Sequence, residues 1–103
     1  MGLGVTDAAQ RPDGSIPRIA PLYRLQWEQA QDAWVLLFPE GMVKLNGSGG
    51  EILRRCDDRR SLGTLIAEIN RAFDADVGND VRAFLALATE RRWVEWRVPA
   101  ASP

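Results

Sequence analysis

Histidine is absent from this 103-residue chain. A Ser-His-Asp or Cys-His catalytic arrangement therefore cannot be assembled within it. Cysteine occurs once, at Cys56, which rules out an intramolecular disulfide and the common Cys/His zinc sites. No run of about 18 apolar residues is present, so no membrane-spanning helix is expected. The N-terminus has no basic stretch leading into an apolar one, so no secretory signal is expected either. Lysine is nearly missing too. Lys44 is the only one, and the other basic residues are arginines. With 13 basic and 14 acidic residues the formal net charge is −1, which argues against a strongly basic nucleic-acid-binding domain. Gly47, Gly49 and Gly50 lack the lysine and the spacing of a phosphate-binding loop. The expectation is a cytoplasmic, non-catalytic domain without cofactor or metal.

What is present is an ordinary globular composition, 46% hydrophobic and 26% charged, at a length that suits one domain. Residues 1–20 are rich in Gly and Pro and poor in large apolar side chains, and read as a flexible arm. Met1 to Thr6 also fit a short myristoylation pattern, and Asn46-Gly47-Ser48 a glycosylation pattern. Both are short enough to arise by chance.

From Tyr23 the apolar residues alternate. Tyr23, Leu25 and Trp27 are interleaved with Arg24, Gln26 and Glu28, the period of a half-buried strand. Trp34 to Phe38 form an unbroken apolar run that suits a central strand. Pro39-Glu40-Gly41 is a turn, and Met42 to Leu45 make a third, short strand. Close sequential strands pair as an antiparallel meander.

The period then becomes helical. Ser48 and Glu51 fit a capping box, with Asn46 as the alternative cap. Ile52, Leu53 and Cys56 share one face, and Cys56 reads as a core residue. Ser61 caps a second helix whose stripe is Leu62, Leu65, Ile66, Ile69 and Phe73. A third helix spans about Asn79 to Arg92, with the wide apolar set Val81, Phe84, Leu85, Leu87 and Ala88. Residues 97–103 read as a loose tail. The predicted fold class is α+β: a three-stranded antiparallel meander followed by three helices, winged helix-turn-helix-like in order, within residues 21–96.

The run Trp34-Val-Leu-Leu-Phe-Pro-Glu-Gly-Met-Val-Lys-Leu-Asn46 resembles the pyrroloquinoline quinone (PQQ) biosynthesis protein D family, PqqD. Glu51-Ile52-Leu53, Cys56-Asp57, Ile66-Ala67-Glu68-Ile69, Asp80-Val81, Phe84-Leu85 and Trp93 extend the match. The family tends to carry Gly where this chain has Asp58, and a small residue where it has Arg92. The resemblance implies a peptide chaperone that binds the ribosomal precursor peptide PqqA and presents it to the radical S-adenosylmethionine enzyme PqqE. It also implies capture of the peptide as an added strand on the third strand, beside the third helix. Met42, Val43, Lys44, Leu45, Val81, Phe84, Leu85 and Ala88 are then the expected peptide-binding residues. Asp80, Arg82, Arg91 and Arg92 are expected at the rim or at a docking surface for the enzyme.

The residues support such a site in part, because an edge strand is a template for strand addition. A homodimer could form through the flexible arm or through the same exposed edge, and if the edge serves both, dimer and peptide compete. The competing reading is a nucleic-acid-binding winged-helix regulator, although the second helix offers only Glu68, Asn70 and Arg71 outside its apolar stripe.

Overall fold

The structure is a computed structural model that describes residues 11–98. Five strands and three α-helices run in the order β1 (Ile16–Ile19), β2 (Arg24–Glu28), β3 (Ala33–Phe38), β4 (Gly41–Lys44), α1 (Gly47–Leu53), α2 (Leu62–Phe73), α3 (Gly78–Glu90) and β5 (Val94–Arg97). The meander is as the alternation implied: an antiparallel three-stranded sheet, order β2-β3-β4. Val35 and Leu36, adjacent on β3 and pointing to opposite faces, are both fully buried. Leu36 lies on the face that meets the helices, with Leu25, Trp34 and Val43 packed around the same core.

Helices α1 and α2 each start at a capping side chain, whereas α3 follows Val77 without one. Asn46 caps α1, its side chain accepting from the Gly49 N–H at 2.7 Å. The alternative cap is thus used, and the Ser48 capping box does not form. Ser61 caps α2 by accepting from the Thr64 N–H at 3.2 Å. Leu62, Leu65 and Ile69 of α2 and Val81, Leu85 and Ala88 of α3 are buried together with Leu53 of α1. Burying a side chain such as Leu65 or Ile69 stabilises the fold by about 1.5–3 kcal/mol. Phe73, the last residue of the predicted α2 stripe, is 41% exposed and stands outside the core.

The reading of residues 1–20 as a flexible arm fails for its second half. Residues 16–19 form β1, which pairs antiparallel with β5, Ile16 opposite Arg97 and Ile19 opposite Val94. Upstream, the carbonyls of Ser15 and Asp13 accept from the Leu62 and Gly63 N–H groups at 2.7 and 2.9 Å. These donors at the start of α2 have no partner inside the helix, and the segment supplies one. Arg82 on α3 adds a bond to the Arg11 carbonyl at 2.7 Å and an ion pair with Asp13. The tail is corrected likewise, since Arg97 ends β5 and binds Asp58. Residues 1–10, with the myristoylation pattern, and residues 99–103 lie outside the described part.

Helices α2 and α3 both end in a Schellman motif. For α3, the Trp93 N–H reaches the Ala88 carbonyl and the Arg92 N–H reaches that of Thr89. This geometry places Arg92 at φ 67°, and Asp58 stands at φ 65° in the α1–α2 turn. These are the two positions at which the sequence departs from the glycine or small residue of the family it resembles.

Candidate peptide-binding edge

Strand β4 is one of the two outer strands of its sheet, β2 being the other. Which of its main-chain groups remain free follows from the register. Leu45 donates to the Trp34 carbonyl at 3.0 Å, and Leu36 stands opposite Val43. Hydrogen-bonded pairs alternate along an antiparallel ladder. Leu45 and Val43 therefore turn their main-chain groups toward β3, while Met42 and Lys44 turn theirs to the open edge. Side chains alternate in the same register. Met42 and Lys44 lie on the outer face of the sheet and are exposed; Val43 faces the helices and is half-buried.

Helix α3 contributes less than its wide apolar set suggested. Val81, Leu85 and Ala88 are 1%, 1% and 0% exposed, so these three expected groove residues belong to the core. Leu45 is likewise buried, at 7%. One turn of helix carries the surplus. Phe84 is partly buried and Leu87 is 39% exposed, and their spacing of three puts them on one face. A Cβ at Gly49 would stand 3.2 Å from the Phe84 ring and 3.1 Å from the Asn46 side chain, so Phe84 lies at the junction just past β4. Leu87, absent from the expected site, was legible as an apolar residue beyond what one core face needs. Phe84 also lines a cleft of about 270 Å³ with Ile69, Phe73, Val77 and Val81. Ser48 and Phe73 connect this cleft to a second one of about 650 Å³ that reaches Trp27 and Lys44.

Of the expected rim residues, Asp80 and Arg82 line one cleft together with Asp13, whereas Arg91 and Arg92 lie at the far end of α3. Asp80 also lines the Phe84 cleft. Arg82 is held by Asp13 and by the Arg11 carbonyl. Arg91 stacks on Trp93, 5.8 Å from the ring centroid, and Arg92 is exposed beyond the helix end. The structure therefore does not gather these four into one patch.

Arg55 and Arg60, on either side of the α1–α2 turn, are engaged within the fold. Arg55 binds Glu51 and Glu68 at 2.8 and 3.1 Å, and Arg60 binds Asp57 and Glu68 at 2.7 and 3.0 Å. Desolvation opposes ionisation of Glu68, but the hydrogen bonds and charges of Arg60 and Arg55 outweigh it and hold the carboxyl below its ordinary range. Asp57 is lowered as well: desolvation acts against it, and the Arg60 and Arg59 N–H groups and the Arg60 charge prevail. Burial, with the nearby Asp57 charge, pushes the Cys56 thiol up to about 12, so it is an inert core group. No cluster of three or more potential metal ligands occurs among the described residues, and no helix there is long and apolar enough to cross a membrane.

The fold and this edge together define a small α+β domain with an open strand, β4, and with Phe84 of the third helix near the turn that follows it. Its family follows from comparison. Residues 33–94 match the family described as Coenzyme PQQ synthesis protein D (PqqD). A protein of Kluyvera intermedia named PqqA binding protein is 43% identical over 89 residues, covering 84% of this chain and 97% of the relative. Proteins of the same name from Azotobacter vinelandii and Pseudomonas aeruginosa are each 45% identical, over 82 and 83 residues. The chain belongs to the PqqD family. A solution NMR structure of the PqqD truncation of Methylobacterium extorquens PqqCD, presented as a functional, stand-alone recognition element for ribosomally synthesised and post-translationally modified peptides, shares the fold. Its TM-score is 0.69 at 23% identity, over 86% of this chain and 98% of that one.

Proposed function

We propose that this protein is a non-catalytic peptide chaperone of PQQ biosynthesis that binds the precursor peptide PqqA by strand addition. The observation that carries the reading is the open edge of β4, where Met42 and Lys44 direct their main-chain groups outward, with Phe84 of α3 close to the start of α1 just past the strand. Main-chain pairing supplies affinity for any extended segment, and side-chain contacts supply selectivity. Relatives named PqqA binding protein supply the identity of the peptide. The recognition domain in this reading runs from β1 to β5, residues 16–97, and so takes in the strand pair that closes the fold. The helices and sheet serve as a winged-helix scaffold whose outer strand, rather than a helix, makes the contact.

Presentation to PqqE in the cytoplasm follows as the chemical role. Holding the peptide beside the enzyme raises its effective concentration there. A homodimer through β4 would use the same main-chain groups and would compete with the peptide. Nucleic-acid binding is the weaker reading, because α2 offers few side chains to a groove and the chain as a whole is slightly acidic.

The test is a calorimetric titration with PqqA of the wild type and of Met42→Pro. Proline removes an outward N–H there and leaves the β3–β4 ladder bonds in place. Saturable binding that the folded variant loses supports the reading. Equal binding by both proteins contradicts it.

A further inference from the structure

Lys44, the only lysine of the chain, holds a particular place at the open edge. Its neighbours on the outer face of the sheet are uncharged: Val35 stands directly opposite on β3, and Met42 lies two positions along. Asp32 and Glu51 line the same cleft, but Glu51 is bound to Arg54 and Arg55 and neither acid forms an ion pair with Lys44. The ammonium group is therefore unanswered within the sheet, and the next side chain abreast of it would belong to an added strand. The register decides which one. Lys44 turns its main-chain groups to the edge, so a residue paired with it puts its side chain on the outer face beside the lysine. The residue abreast of Val43 points to the opposite face, toward the helices.

We propose that Lys44 is a specificity determinant that selects an acidic residue at the position of the peptide abreast of it, fixing the register of the added strand. This rests on the strand-addition reading above. Opposite charges directly across a ladder attract and like charges repel. A slip of one residue would exchange the two faces of the peptide, carrying the acid toward the helices and an apolar side chain out to Lys44. Lys44 thus adds to the main-chain bonds, which are blind to sequence, a penalty on wrong registers.

The experiment titrates PqqA, and a panel of PqqA variants each carrying a single acidic residue changed to lysine, into the wild-type chain and into Lys44→Glu. Lys44 is exposed, so the substitution leaves the core intact. Lys44→Glu is expected to weaken PqqA by about tenfold in low salt, and by less as salt screens the pair. One panel member should bind poorly to the wild type and recover on Lys44→Glu. Unchanged affinity in Lys44→Glu, or a loss that no panel member restores, overturns the proposal while PqqA binding itself stands. Absence of PqqA binding by the wild-type chain overturns the functional reading, and this proposal with it.

Discussion

Gly50 of α1 lies directly against the indole of Trp34 on β3: a Cβ at this glycine would stand 2.5 Å from Trp34 Cδ1. Helix α1 can approach the sheet this closely only because the position lacks a side chain, and the approach brings Asn46 and Gly49 up to Phe84. The contact therefore sets both core packing and the shape of the candidate site. Gly50→Ala should destabilise the fold by about 1–3 kcal/mol through overpacking, although alanine is the better helix former. Chemical denaturation checks this. Unchanged or raised stability would mean that α1 is free to shift.

Arg92 occupies the left-handed position of the α3 Schellman motif, where glycine avoids a steric cost. Arg92→Gly should stabilise by about 0.5–1 kcal/mol after glycine's greater entropy in the unfolded chain is counted. Asp58→Gly should gain less. Asp58 accepts from Arg97 at 3.0 Å, and that exposed pair, worth about 0–1 kcal/mol, would be lost. Thermal melts of the two variants separate the effects, and a larger gain for Asp58→Gly would contradict this assignment.

On α3 the buried and exposed apolar residues should respond differently. Leu85→Ala should cost about 2–5 kcal/mol of stability because it opens a cavity in the core. Leu87→Ser should leave stability nearly unchanged and weaken PqqA roughly tenfold, through apolar area no longer covered by the peptide. Denaturation and titration of both variants check the division.

Acid should loosen the α1–α2 turn first. Asp57 and Glu68 have pKa values held below their ordinary 3.8 and 4.5 by arginine partners. Groups lowered in the folded state contribute fully above those ordinary values and lose the contribution as pH falls through the folded ones. Glu68→Gln should therefore destabilise at pH 7, and the difference from wild type should shrink below about pH 4. A difference independent of pH would show that the charge network is unimportant.

The meander and the helices were legible because their signals are local. Tyr23, Leu25 and Trp27 alternate over five residues, and Leu62, Leu65 and Ile69 repeat at helical spacing. The β1–β5 pair was not legible. Its strands are four residues each, β1 contains Pro17, and Arg18 and Glu95 meet across 77 positions of sequence. A strand that short is recognisable only once its partner is known. The edge strand could be read as far as Met42 to Leu45, but which main-chain groups it leaves free could not, because that depends on pairing parity with β3. The expectation of a groove at Val81, Leu85 and Ala88 departs from the structure for a related reason. Sequence shows that α3 carries surplus apolar surface, and only packing against α1 and α2 shows that Phe84 and Leu87 hold it.

Amide hydrogen exchange of β4 with and without PqqA tests strand addition most directly. In the free protein the Met42 and Lys44 amides should exchange quickly, while those of Val43 and Leu45, bonded to β3, are protected. Bound PqqA should slow Met42 and Lys44 selectively, because only an added strand supplies acceptors to those two donors. Saturable PqqA binding that leaves both amides exchanging at their free rates would contradict capture on β4.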